Sequence, residues 1–248
     1  MKNIFLSGIF IYFSIGLYLY LEQREFIYFP VGSTVSELSE MVFENDGHKI
    51  KASILNQGNE KAIIYFGGNA ENVEYNAESF SHLFHEYTIY LVKYRGYGGS
   101  TGEPSEDAIY SDAVVIYDVI RSDHDEISVI GRSLGSAVAT HVAVKRDVRK
   151  LVLITPFDSI QDVAQSQFPI YPMGILLKDK HDSYSRVKYI KAETLVIAAE
   201  QDRVISMSHT KHLLEGFSSK VLFKVIEGAG HNNISSSPHY YGVLDEFM

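Results

Sequence analysis

The chain has 248 residues, enough for one domain with a substantial buried core, and its 46% hydrophobic and 21% charged residues are the balance of a globular protein. Lys and Arg number 22 against 31 Asp and Glu, and the resulting net charge of -9 lacks the basic footprint of a nucleic-acid binder. There is no Cys, which excludes disulfides, thiolate metal sites and a cysteine nucleophile and leaves the redox compartment open.

The first segment reads differently from the rest. From Asn3 to Leu21 no residue is charged, and the run is nearly all apolar or aromatic. A helix of that length just reaches across a hydrocarbon core of ~30 Å, so residues 1–21 are expected to form a membrane anchor and residues 22–248 the folded domain. Lys2 and the terminal amine precede the run; Glu22, Arg24 and Glu25 follow it. Positive charge on the short side predicts a single pass with the N-terminus inside and the domain on the far, extracytoplasmic side. The rival is a cleaved signal sequence and a secreted domain. It needs small residues at a cleavage site, and only Ser14-Ile15-Gly16 offers them, early in the run. A buried core helix would show a polar stripe, which this run lacks.

Beyond it, short apolar runs alternate with amphipathic stretches. The runs 62–66, 88–92, 127–130, 151–154, 195–198 and 221–225 predict strands, most of them buried on both faces. Helices are predicted from Ser105 to Ser122 and from Ser133 to Lys145, each opening on Ser as a capping residue, with Glu106 and Asp107 at the positive end of the first. Strands alternating with helices predict an α/β fold with a mostly parallel sheet flanked by helices. In such sheets chemistry sits at the carboxyl ends of the strands.

Gly131-Arg132-Ser133-Leu134-Gly135 follows the run ending at Ile130 and opens a helix. A G-x-S-x-G turn is so sharp that side chains at its glycines would meet neighbouring backbone, while the serine is pushed out at the tip. There the positive helix end favours negative charge developing on an oxygen. A serine nucleophile needs a base, and the base an orienting acid. Asp202, after the run 195–198, and His231, in Gly228-Ala229-Gly230-His231, stand on loops past later strands and so converge at the same sheet edge. Two other acids compete for the role of Asp202: Glu200, and Asp158 after the run 151–154. Two oxyanion donors are also needed. They are expected to be the backbone N–H of Leu134 and that of Asn69, in the Gly67-Gly68-Asn69-Ala70 turn.

Five stretches resemble the Bem46-like branch of the α/β-hydrolase superfamily, alongside the ABHD13- and ABHD17-like serine hydrolases. They are Gly68-Asn69-Ala70, Tyr94-Arg95-Gly96-Tyr97-Gly98 with Ser100, Gly131 to Gly135 followed by Ser136-Ala137-Val138-Ala139, Asp182-Ser183, and Gly228 to His231. The resemblance runs from about Phe29-Pro30 to the C-terminus, and the order Ser, Asp, His is that of α/β hydrolases. It implies an α/β-hydrolase fold with a short cap or none, a cofactor-free serine hydrolase, and for some relatives thioesterase action on acylated proteins. Two departures stand out. Relatives usually carry His-Gly-Asn-Ala where this chain has Gly67 to Ala70, and His-Gly where it has Ala198-Ala199. Since that first histidine supports the oxyanion loop, the loop is expected to be looser here, and Gly67→His to raise kcat if nothing fills the vacated space.

His82 with His85, and His209 with His212, are spaced three apart on predicted helices; without a third ligand they read as solvated faces, not metal sites. Gly96 to Gly99 lacks the Lys of a phosphate-binding loop. The uncharged apolar segment from Phe168 to Leu177 lies where this superfamily inserts lids, and either lines an acyl pocket or covers the sheet edge. The expected function is membrane-anchored hydrolysis of a small-molecule or acylated ester or thioester through Ser133, with no cofactor and no metal. A serine peptidase or amidase, and a non-catalytic tethered binding protein on the same fold, are the alternatives.

Overall fold

The structure, a computed structural model, describes residues 2–32 and 37–248, with Lys2 described through its backbone alone. The Lys2 side chain and the terminal amine, on which the expected orientation rests, therefore lie outside the described residues.

Residues Lys2–Ile27 form one helix, α1, so the expected boundary after Leu21 falls inside a helix and not at a break. All six apolar runs fall in strands: β3 (Lys61–Phe66), β4 (Tyr87–Lys93), β5 (Glu126–Arg132), β6 (Lys150–Ile154), β7 (Glu193–Ala199) and β8 (Val221–Ile226). Ahead of them stands a hairpin that the apolar runs do not announce, β1 (Ser39–Asn45) and β2 (His48–Leu55). Asn45 pairs with His48 across a two-residue loop, Asp46-Gly47, with φ of 50° and 75°. Positive φ at both positions is the turn geometry that suits the right-handed twist of paired strands.

The sheet order is β1-β2-β4-β3-β5-β6-β7-β8, with β1 and β2 antiparallel to their neighbours and the other pairs parallel. The connecting helices are α2 (Ala77–Leu83), α3 (Glu106–Ile120), α4 (Leu134–Lys145), α5 (Ile160–Gln167), α6 (Met173–Leu176), α7 (Tyr184–Val187), α8 (Met207–Glu215) and α9 (Pro238–Phe247). Strand β3 shows how the two helical layers are held. Ala62, Ile64 and Phe66 join the core under α3 and α4, while Ile63 and Tyr65 join the core under α2 and α9. Each large side chain so buried is worth roughly 1.5–3 kcal/mol.

The chain leaves β3 for β4 on one side and then crosses to β5 on the other. The carboxyl ends of β3 and β5 therefore flank the point where strand order reverses, which opens a crevice there. Gly67-Gly68-Asn69 follows β3 and Ser133 follows β5, so the topology brings both to that crevice.

Candidate active site

Ser133 joins β5 to α4 at φ 49° and ψ −115°. A non-glycine residue in this conformation is strained and is held there by its surroundings. The flanking glycines show what holds it. A Cβ on Gly131 would strike the Gly135 carbonyl and Ala139, and one on Gly135 would strike the Phe66 carbonyl of β3. The turn is thus pressed between β3 and its own helix. Ser133 departs from the capping role read for it, since its side chain caps nothing in α4. Its Oγ instead lies 2.9 Å from His231 Nε2.

His231 Nδ1 is in turn 2.7 Å from Asp202 Oδ2. The other Asp202 oxygen accepts from the N–H groups of Val204 at 2.9 Å and Ile205 at 2.8 Å, which fixes the carboxylate. A carboxylate beside Nδ1 keeps the proton on that nitrogen and leaves Nε2 to accept from the serine hydroxyl. The Asp202 and His231 side chains are both buried and Ser133 is half-buried, so the chain from hydroxyl to carboxylate runs out of water at one end only. The arrangement can move a proton from Oγ to imidazole as Oγ attacks an electrophile.

The competing acids are engaged elsewhere. Asp158 is buried, and its carboxylate lies 2.9 Å from the Nδ1 of both His209 and His212. Glu200 accepts from the Gly228 N–H at 2.8 Å. These contacts correct the reading of a solvated face for His209, which turns inward to Asp158, while His212 stays about half exposed and still reaches the same carboxylate, which raises its pKa through the hydrogen bond and the nearby negative charge. His82 and His85 do stay exposed.

A profile of the α/β-hydrolase fold matches residues 61–175. The uncharacterized protein Rv2307c of Mycobacterium tuberculosis is 30% identical over 233 residues, which is 88% of this chain and 83% of that protein. The chain belongs to the α/β-hydrolase family. Alpha/beta hydrolase domain-containing protein 17B of Xenopus laevis is 27% identical over 64% of this chain and 56% of its own length. Among solved structures, the esterase Pf2001 of Pyrococcus furiosus aligns at a TM-score of 0.69 and 17% identity, over 89% of this chain and 95% of that one. The thioesterase domain from the curacin biosynthetic pathway aligns at 0.65 and 13% identity, over 85% and 99%. At such identities these two structures speak for the fold alone.

In this hydrolase the loop after β3 is firmly held, contrary to the looseness expected from Gly67. Glu71 Oε2 accepts from the Gly68 N–H at 2.6 Å, and Tyr94 OH donates to the Gly67 carbonyl at 2.8 Å. The Asn69 side chain donates to the Ile27 carbonyl at 2.7 Å and accepts from Tyr97 OH at 2.8 Å and the Phe29 N–H at 2.9 Å. The space a histidine would need is taken, because a Cβ at position 67 would sit 2.5 Å from Val73 Cγ1. The rise in kcat expected of Gly67→His depended on an empty space, and Val73 fills it. The N–H groups of Asn69 and Leu134 meet no protein acceptor among the described residues, and both residues line one pocket with Ser133.

Two residues that sequence reasoning passed over tie these loops together. Arg132 donates to the His231 carbonyl at 3.1 Å and pairs with Glu71 at 3.4 Å, and Glu71 is the residue that holds Gly68 and also accepts from Tyr65 OH at 2.7 Å. The signal for Arg132 was its place inside the G-x-S-x-G turn, where a mostly buried charge must find partners.

The pocket beside Ser133 has a volume of 430 Å³ and is mainly apolar. Phe168, Met173, Leu176 and Leu177 all line it, so the segment once open between two readings forms a wall of this pocket.

Proposed function

We propose that this α/β hydrolase cleaves a carboxylic ester or thioester through an acyl-enzyme on Ser133. The observation that carries the reading is the unbroken hydrogen-bond chain Ser133–His231–Asp202 at the tip of the strained turn. His231 Nε2 takes the Ser133 proton as Oγ attacks the carbonyl carbon. The N–H groups of Asn69 and Leu134 receive the oxyanion. His231 then gives its proton to the leaving oxygen or sulfur, and water repeats the sequence to free the acid. Asp202 holds the imidazole tautomer and stabilises the imidazolium. No metal or cofactor enters these steps.

We further infer that α1 holds the protein to a membrane, with the N-terminus inside and the hydrolase domain on the far side. Support comes from a mean hydropathy of 2.0 over its apolar window, only 6% of which is buried, which is not how a soluble core helix looks.

Turnover of a p-nitrophenyl ester tests the chemistry. Asp202→Asn should lower kcat by about 10⁴ with the fold retained, since the wrong tautomer is then stabilised. Asp158→Asn, whose carboxylate faces other histidines, should cost less than tenfold. The reverse ranking would move the acid role to Asp158.

A further inference from the structure

Helix α1 touches the site as well as leading to it. At its C-terminal end the Ile27 carbonyl and the Phe29 N–H grip the Asn69 side chain in the loop beside Ser133. One turn earlier, Gln23 is buried, donating to the Leu176 carbonyl at 3.1 Å and accepting from the Lys178 N–H at 2.6 Å. Further back, Tyr12 stacks on Tyr171 with ring centroids 4.8 Å apart and donates to the Ile170 carbonyl at 2.8 Å. The segment from α5 to α6 therefore lies along α1 from Tyr12 to Gln23. The pocket of 430 Å³ is the gap between them, walled by Leu19, Gln23 and Phe26 on one side and Val163, Phe168 and Leu176 on the other.

The lengths then constrain where this gap sits. At 1.5 Å per residue, the part of α1 clear of the domain, residues 2–11, spans only about 15 Å, half of a ~30 Å hydrocarbon core. The uncharged run continues to Leu21, and its second half lies against the α5–α6 segment. If the whole run lies in hydrocarbon, the segment touching Tyr12 lies there too. Its own composition fits: residues 168–177 carry no charge, and Ile170 and Ile175 are 69% and 80% exposed. From Ile4 to Ile11 the free half of α1 carries apolar side chains on every side, Ser7 and Gly8 apart, with Phe10 74% exposed and Ile4 79%. A second protein copy would cover one stripe of such a helix, whereas a bilayer covers every side.

We propose that the pocket is loaded from the bilayer: the lipid that takes α1 also covers the α5–α6 segment, and the acyl chain of a lipid-resident ester or thioester enters between the two. The proposal rests on Ser133 as the nucleophile and on α1 as a membrane helix. In this arrangement the acyl chain leaves one apolar environment for another, and only the carbonyl must reach the polar end at Ser133 and Asn69.

The chain has no Cys, so Ile175→Cys and Glu126→Cys each accept a single thiol-reactive fluorophore, the second at the exposed amino end of β5, away from the carboxyl ends of the strands. The full-length labelled proteins would be reconstituted in phosphatidylcholine vesicles. The label at 175 should be quenched by lipid spin-labelled high on the acyl chain and shielded from aqueous iodide, by at least about fivefold relative to 126. Iodide access equal at the two positions, or failure of the protein to float with the vesicles, would overturn the proposal without touching the chemistry. A second arm compares p-nitrophenyl hexadecanoate dissolved in the vesicles with soluble p-nitrophenyl acetate. In the double variant Ile170→Lys, Ile175→Lys, the ratio of long-chain to acetate turnover should fall at least about tenfold. An unchanged ratio would sink bilayer loading. If the wild type turns over neither ester, the nucleophile reading itself fails, wherever position 175 lies.

Discussion

Position 67 shows how a single residue is read differently with and without its neighbours. Judged against relatives, Gly67 looks like a missing support. In the fold, Val73 occupies the place of a side chain, and Glu71, Tyr94 and Asn69 hold the loop by hydrogen bonds. Gly67→His should therefore lower stability by about 1–3 kcal/mol, the usual cost of overpacking, and lower kcat with it. Urea unfolding and ester turnover of the variant check this; a stable variant with raised kcat would restore the looser picture. Ser133, Asp202 and His231 were each legible because each stands just past an apolar run, where an α/β fold places its chemistry. Asp158 stayed a competitor to Asp202 because its engagement by His209 and His212 comes from a helix distant in sequence. Glu71 and Arg132 stayed hidden for a related reason: their partners come from three different loops.

Among elements, β3 to β7 were visible as continuous apolar runs because helices cover both their faces, and the edge strand β8 was visible from its apolar run although it is only partly buried. The β1–β2 hairpin was not, since its exposed positions interrupt any such run. Asp46-Gly47 was the readable sign. The two helices opening on serine divide by function. Ser105 accepts from the Ala108 N–H at 3.3 Å and caps α3, whereas Ser133 leaves α4 uncapped and faces His231. Ser105→Ala should cost about 1 kcal/mol of stability, while Ser133→Ala should leave the thermal midpoint near that of the wild type. Thermal denaturation of both variants makes the comparison, and a larger loss in Ser133→Ala would mean its hydroxyl supports the fold.

Across the whole molecule, the end of α1 is joined to the hydrolase domain by a buried polar network, through Arg24 on Asp179 and through Tyr28, the residue just past the helix. His181 lies between Tyr28 OH at 2.8 Å and Tyr110 OH at 3.1 Å, and Tyr28 donates to Asp179 at 3.1 Å. Because Tyr28 spends its proton on Asp179, His181 Nε2 must donate to it and Nδ1 accept from Tyr110, which requires a neutral ring. Burial, with the Arg186 charge nearby, pushes the His181 pKa down to about 3. The unfolded chain takes up a proton on this histidine below about pH 6.5 and the folded chain does not, so stability is full above that pH and falls as pH drops toward 3. The thermal midpoint of the wild type should decline between about pH 6.5 and 5 more steeply than that of His181→Asn, which starts lower. Parallel profiles would show that His181 takes up its proton in the fold.

The central claim, an acyl-enzyme on Ser133, is tested most directly by acid-quenching the protein during turnover of a p-nitrophenyl ester and mapping the adduct by mass spectrometry. The account predicts the added acyl mass on the peptide containing Ser133, absent in Ser133→Ala together with turnover. Turnover that persists in Ser133→Ala, or an acyl group carried on another residue, would contradict it.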